Sequence, residues 1–348
     1  MATLNKRLES EKLEKISRPT LYEDINYIKA NWGGAIKKSQ DREGDATFVL
    51  TTNYSASTQH MRSRLNLSEK KEIARLLGGL VLAHGRDERF TKVEVPNLKV
   101  QSPYDTYDST EIYTANQIKQ FLSRPLELIR RPESNWSSIY EIANNQLNTL
   151  LEKLENWWRT TGRTFCLDAG STNSLFAEMV LSQVKLPLPE LFRLTIWTNN
   201  LSAFYTLAFP QIDGVEVVTV AGSPQKKSGS LGGFLAKKTL EVINPRFGMA
   251  IVGCTSVVFE DGEIRFGADD DSDAAIKTEF LNRATIRILV ADSSKWSYSS
   301  YSGYHHFANP GFEGLNLVVT DKILESQLMK LIQRGTYVLA SKIDPDPK

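Results

Sequence analysis

A chain of 348 residues, 41% of them hydrophobic and 24% charged, can bury a full core and predicts about two domains. Its 42 basic and 41 acidic residues leave a formal charge of +1, which excludes a global field for nucleic acid and confines any DNA contact to a local surface. The composition also excludes disorder and fibrous repeats, and no apolar run approaches the ~20 residues that span a bilayer. The polar opening MATLNKRLESEKLEK has no apolar signal core, so a cytoplasmic protein with no membrane partner is expected. Cys166 and Cys254 both fall in apolar runs and read as reduced core residues.

In chain order, SRPTLYEDINYIKANW predicts a helix capped by Ser17, with Pro19 in its first turn. Leu21, Ile25 and Ile28 fall at i, i+4 and i+7 and form its buried stripe. Gly33 and Gly34 end it, and AIKKSQDREGDATFVLTT predicts a two-stranded hairpin turning near Glu43–Gly44. Residues 53–65 are polar and linker-like. SEKKEIARLLGGLVLAHG predicts a second helix with Ile73, Leu76, Leu77 and Leu80 on one face. Residues 86–135 scatter Pro, Asp, Ser and Tyr and are the least readable part. SSIYEIANNQLNTLLEKLENWWRTTG then predicts a long amphipathic helix.

From residue 164 the texture becomes alternating. TFCLDAG, LTIWTNN, VEVVTVAG, MAIVGCTSV, TIRILVAD and LNLVVTD predict buried strands, with helices at 172–183, 201–208 and 272–284. That alternation predicts an α/β fold with a mostly parallel sheet and helices on both faces. Its working surface is the carboxyl ends of the strands.

The sharpest chemical feature is LDAGSTNSLFAEMV, a strand that turns through Gly170 into a helix. Ser171 and Thr172 there present hydroxyls and free N–H groups at a helix N-terminus, which suits a phosphate; the same residues also suit an ordinary capped turn. Thr198–Asn199, Ala221–Gly222–Ser223 and Asp292–Ser–Ser–Lys295 end three other strands in small or polar groups, and Lys295 can supply charge. The acidic run GADDDSDAA repels a phosphate unless it faces solvent. No nucleophilic triad is evident, so no catalytic residue, cofactor or metal is expected. His305 and His306 sit in SKWSYSSYSGYHHF, read as a loop that is either a lid over the pocket or simple packing.

The series DAGST, TNN, AGS with SGSLGG, VADSSKW and VVTD resembles, across residues 164–325, the sensor domain of the DeoR family of bacterial transcription regulators. That domain belongs with the ribose-5-phosphate isomerase and CoA-transferase-like folds. The resemblance implies a pocket for a phosphorylated sugar or related phosphorylated metabolite. Asp168, Gly170, Ser171 and Thr172 would form the phosphate loop, Thr198 and Asn199 would line the next strand end, and Gly222 would leave room for the ligand. Gly233 matches the glycine after the third strand, Asp273 and Lys277 match an acidic-then-basic pair, and Asp292 and Lys295 belong to the D-S-S-K motif.

ISRPTLYEDINYIKANWGGAI resembles the recognition helix of an abbreviated winged helix-turn-helix, with residues 35–51 as the wing. Arg18, Thr20, Tyr22, Asn26 and Lys29 would meet the major groove, and Lys37, Lys38 and Arg42 the phosphates. SEKKEIARLL resembles the E-K-x-x-I-A helix that precedes the DeoR sensor domain, which implies a large insertion after it here.

The expected organisation is a winged-helix DNA-binding unit over 1–52, a linker and helical insertion over 53–135, and a ligand-sensing α/β domain over 136–348. The implied function is a transcription regulator, not an enzyme, that binds operator DNA and a phosphorylated effector as a homo-oligomer, a dimer or higher. Two alternatives stay open. One is a sugar-phosphate isomerase-like enzyme using Asp168, Asp270 and Lys295; the other is a signalling module whose amino-terminal unit contacts protein.

Overall fold

A computed structural model describes residues 36–40, 46–50, 66–83, 112–131, 136–160, 162–183, 193–209, 212–225, 229–260, 263–297, 305–308 and 315–346. In the amino-terminal unit, β1 (Ile36–Gln40) and β2 (Ala46–Leu50) pair antiparallel, with Ile36 opposite Leu50 and Gln40 opposite Ala46. This is the hairpin that the β-rich run at 47–50 predicts. The expected helix from Ser17 lies outside the described residues, as do Arg18, Thr20, Tyr22, Asn26, Lys29 and Arg42.

The second unit continues with α1 (Leu67–Leu82), α2 (Ala115–Ile129), α3 (Tyr140–Arg159), β3 (Gly162–Leu167), α4 (Ser171–Met179), β4 (Arg193–Thr198) and α5 (Leu201–Ala208). There follow β5 (Val215–Thr219), β6 (Ser223–Gln225), β7 (Ser230–Gly232), α6 (Phe234–Ile243), β8 (Phe247–Gly253), β9 (Ser256–Glu260) and β10 (Glu263–Ala268). The last elements are α7 (Asp271–Asn282), β11 (Ala284–Val290), β12 (Trp296–Ser297), β13 (His305–Ala308), β14 (Leu317–Leu324), α8 (Glu325–Gln333) and β15 (Tyr337–Asp344). Among the described residues no helix is long and apolar enough to cross a membrane.

Seven strands form one parallel sheet in the order β15-β14-β11-β8-β3-β4-β5. The six strands expected from the sequence are all in it, and β15 is an additional edge strand. Phe165–Leu167, Met249–Val252, Ile288–Val290 and Leu317–Val319 are all completely buried, which is why these strands read as unbroken apolar runs. From β3 the chain steps through α4 toward the β5 edge, whereas from β8 it steps through α7 toward the β15 edge. Right-handed crossovers therefore put α4 and α7 on opposite faces, and the direction reverses between β3 and β8. A smaller sheet, β12-β9-β10-β13, grows from the β8–α7 connection. His305 and His306, read from sequence as loop residues, stand in β13 opposite Ala268 and Gly267.

Two helices from the segment expected to be linker and insertion pack within this same unit. In α1, Ile73, Leu76, Leu77 and Leu80 are fully buried, and the helix lies against α4 and β14. Its carboxyl end is held by side chains from α3 and β3. Trp158 Nε1 donates to Leu80 O at 2.9 Å, and Trp157 Nε1 to Val81 O at 3.1 Å. Arg163 donates to Val81 O at 2.7 Å and Ala83 O at 3.2 Å. A cation at a helix C-terminus complements the dipole, although burial lowers the Arg163 guanidinium to a pKa of about 9. α2 was not evident in the sequence, yet it opens on a capping box in which Thr114 Oγ1 accepts from Gln117 N and Gln117 accepts from Thr114 N. Pro125 inside the helix conceals the Ile118, Leu122, Ile129 stripe.

Gly78 and Gly79 stand inside α1 because the chain at Ile112–Tyr113 crosses it closely. A Cβ on Gly79 would stand 2.5 Å from Tyr113 O, and one on Gly78 would stand 2.4 Å from the Ile112 side chain. Gly79→Ala should therefore destabilise the fold by about 1–3 kcal/mol in urea unfolding, despite alanine's better helix propensity.

Candidate functional site

The carboxyl ends of β3, β8 and β11, beside the point where the crossovers reverse, open into a cleft of about 290 Å³. The β3–α4 turn forms one wall. Gly170 adopts φ 140°, in the region that favours glycine, and α4 begins immediately after it with no side-chain cap. Ser171, Thr172 and Asn173 line the cleft with the first-turn N–H groups that no helix carbonyl can satisfy. Thr172 is 3% exposed and its Oγ1 has no hydrogen-bond partner among the described residues; the same holds for Asn173 Oδ1.

The floor is a buried ion cluster. Asp168, directly after β3, accepts through Oδ2 from Gly253 N at 3.1 Å and pairs with Lys277 Nζ. Lys277 also lies 3.2 Å from Asp273 Oδ1, one turn earlier on α7, and 5.8 Å from the Phe307 ring centroid. Burial would lower the lysine, but the two carboxylates outweigh it and hold its pKa above the usual range. One ammonium shared by two carboxylates leaves Asp168 under-neutralised. Burial pushes it up to about 6, with Lys277 opposing and Asp273 adding to the rise.

The second wall is the turn after β11. Lys295 lies 3.6 Å from Asp292 Oδ2, Ser294 Oγ donates to Asp292 Oδ1, and both Ser294 and Lys295 line the cleft. Asp321, the aspartate of VVTD, receives Ser293 N at 2.7 Å and Ser293 Oγ at 2.8 Å, so β14 fixes this turn in place. Burial raises the Asp321 pKa against those two hydrogen bonds.

The acidic run at 267–275 has a local explanation. Asp270 caps α7 by accepting from Asp273 N at 2.8 Å, and Asp271 and Asp273 sit in its first turn, where the dipole favours them. Asp269 accepts from Thr255 Oγ1 at 3.0 Å. Asp269 and Asp273 do reach the cleft, each already engaged.

Residues 160–322 match the family described as the DeoR C-terminal sensor domain. Over those residues, just under half of the chain, the protein is similar to a DeoR-type sensor domain. An uncharacterized HTH-type transcriptional regulator of Bacillus subtilis (strain 168), YulB, is 26% identical over 175 residues, covering 50% of this chain and 59% of that protein. Ribose 5-phosphate isomerase A of Methanocaldococcus jannaschii is 15% identical over 44% of this chain and 55% of its own, with a TM-score of 0.27. The delta subunit of eIF2B from Chaetomium thermophilum is 10% identical over 74% of this chain and 93% of its own, with a TM-score of 0.28. The chain thus spans less than two thirds of the bacterial regulator and of the isomerase, and likenesses this slight to solved structures carry no argument about activity.

Of the residues that the sequence singled out, the sensor domain brings Gly170, Ser171, Thr172, Lys277, Asp292 and Lys295 to one cleft. Asp168 lies beneath it, completely buried, as an ion partner of Lys277. Thr198 and Asn199 do not line it. They turn inward to brace the β3–α4 turn, Thr198 Oγ1 donating to Leu167 O at 2.6 Å and Asn199 Oδ1 accepting from Ala169 N at 2.8 Å. Gly222 and Gly233 also stand away from the cleft. A Cβ on Gly222 would meet Gly232 O at 2.8 Å, and Gly233, with φ 86°, starts α6 and donates its N–H to Ser272 Oγ at 2.6 Å. Gly222 is small because the β6–β7 hairpin passes close to it, whereas Gly233 is suited by its positive φ. Asn66, Lys70, Gly253, Cys254, Thr255 and Asp269 line the cleft without having been singled out. The one signal for Lys70 was its place in the SEKKEIA helix. Cys254 is a free, buried thiol that burial raises to about 11.

Lys277→Met leaves two buried carboxylates without their counter-charge and should cost about 3–5 kcal/mol at neutral pH in urea unfolding. The pH dependence has a definite sign. Asp168 titrates near 6 in the fold against an ordinary 3.8, so its contribution favours folding below its ordinary pKa and is lost as pH rises through 6. The stability of the wild type relative to Asp168→Asn should therefore fall as pH rises from about 4 to about 7. A flat or rising difference would contradict this electrostatic account.

Proposed function

We propose that the chain is a DNA-binding transcription regulator whose sensor domain takes a phosphorylated sugar, or a related phosphorylated metabolite, in the cleft at the ends of β3, β8 and β11. The observation that carries this reading is the first turn of α4. It is uncapped and backed by a left-handed Gly170, and it offers a buried, unpartnered Thr172 Oγ1 to the cleft. A helix N-terminus in that condition attracts an anion by both its dipole and its open N–H groups. Lys295 on another wall adds formal positive charge, while Lys277 lines the floor as the counter-charge of Asp168 and Asp273. The lining carboxylates are held by Lys277, Lys295, Ser294 and Thr255, which limits their repulsion, and Asp269 is suited to a sugar hydroxyl.

The amino-terminal segment reads the DNA. Arg18, Thr20, Tyr22, Asn26 and Lys29 meet base edges and groove walls, while Lys37, Lys38 and Arg42 on the wing contact phosphates. Paired half-sites require a homo-oligomer, and the effector shifts it between DNA-binding and released states, in the cytoplasm. In this reading the protein is not an enzyme. Asp168 lies beneath the floor, paired with Lys277, and is not a base facing the ligand.

The deciding experiment is a gel-shift titration of the full chain against DNA from upstream of its own gene, at two salt concentrations. Saturable binding that resists competitor DNA, weakens with salt and is altered by a sugar phosphate is expected. No binding at low salt by the folded protein would overturn the DNA-reading assignment. Arg18→Ala with Asn26→Ala should abolish the specific shift without changing the thermal melt. Thr172→Val should weaken the sugar phosphate by about tenfold while leaving the DNA complex intact.

A further inference from the structure

We infer that the outward face of α6 is an interface with a second copy of this chain, the two helices packing antiparallel about a two-fold axis. The inference is independent of what fills the cleft, and it gives the homo-oligomer of the regulator reading a definite contact surface.

α6 packs against α7 and β7, and of its side chains only Ala236 and Leu240 are fully buried. The opposite side has Lys238 at its centre. Phe234, Leu235, Glu241 and Val242 stand three or four positions from that lysine, so they share its face. Phe234 is 76% exposed, Leu235 56% and Val242 80%, and Ile243, 56% exposed, extends the apolar surface at the end of the helix. A surface helix held by two buried residues ordinarily places polar side chains at such positions. Together the four apolar residues expose on the order of 500 Å², in the upper range of what a monomer leaves in one patch and more than half of the ~800 Å² that each partner gives to a standard interface.

The charges on this face identify the partner. Lys238 Nζ pairs with Glu241 at 2.5 Å and lies 5.7 Å from the Phe234 ring centroid, while Lys237 on the flank reaches the same carboxylate at 3.9 Å. Lys238 and Glu241 cancel at the centre of the face, so no concentrated charge there draws a nucleic acid or an anionic lipid surface. The same pair is complementary to itself once reversed. A second α6 laid antiparallel sets the partner's Glu241 opposite Lys238 and the partner's Lys238 opposite Glu241. Phe234 and Leu235 at one end then meet the partner's Val242 at the other. Each contact occurs twice, which is the condition for an isologous interface that closes as a dimer. The ion pairs fix the register and the apolar side chains supply the affinity.

The test is sedimentation velocity on the full chain at micromolar concentration. Wild type should sediment as a dimer, and Val242→Glu should raise the dissociation constant by at least about tenfold with an unchanged far-ultraviolet spectrum. Lys238→Glu and Glu241→Lys should each weaken self-association, because each places like charges opposite one another across the two-fold axis. An equimolar mixture of those two variants should regain the dimer, since only the mixed pair sets opposite charges at both positions. A mixture no tighter than either variant alone, or Val242→Glu that dimerises like wild type, overturns this interface and leaves the homo-oligomer reading standing. Monomeric wild type, whether free or pelleting with anionic vesicles, overturns both. If Val242→Glu does not fold, the mixing experiment decides.

Discussion

One buried ammonium serving two buried carboxylates is the constraint on which the sensor domain's cleft depends. Lys277 reaches from α7 on one face of the sheet to Asp168 at the end of β3, and Asp168 in turn holds the backbone of Gly253 at the end of β8. Three elements from different crossovers are thereby brought to a common point. An unpaired charge at that depth would cost several kcal/mol, so the floor closes only when all three chain segments are in register. The cleft above it is polar because its formal charges arrive already engaged.

The same economy runs through the walls. Thr198, Asn199 and Asn200 use their side chains to hold the β3–α4 turn and to cap α5, and Asp321 does the equivalent for the turn after β11. Strand ends carrying small polar residues are thus divided into two kinds: those that face the cleft and those that stiffen the ones that do. A ligand site made of backbone N–H groups needs such bracing, since a turn free to relax would satisfy those groups with water or with itself.

α1 is the other organising element. From Leu76 to Leu82 it is buried on every side, as a core helix must be, and its C-terminal carbonyls are claimed by Trp157, Trp158 and Arg163. The helix therefore belongs to the packing of the α/β unit although it stands far ahead of β3 in the chain.

Much of this was legible in the residues alone. Apolar runs such as FCL, MAIV and ILV can be buried on both faces only as parallel strands, and glycine with small hydroxyls after a strand marks an uncapped helix start. These are local rules, so six strands of the sheet and the β3–α4 turn were accessible from sequence. α2 was not, because Pro125 breaks its pattern and only the Thr114–Gln117 capping box betrays it. What tertiary structure alone decided is which polar strand ends face the ligand. Asp168, Thr198 and Asn199 are alike in sequence context to Ser171 and Lys295, but strand order sets Asp168 under the floor and turns the other two into braces. Lys70 joins the cleft for the same reason. Which side chains meet depends on how a switch in crossover direction stacks distant segments, and no spacing along the chain encodes that.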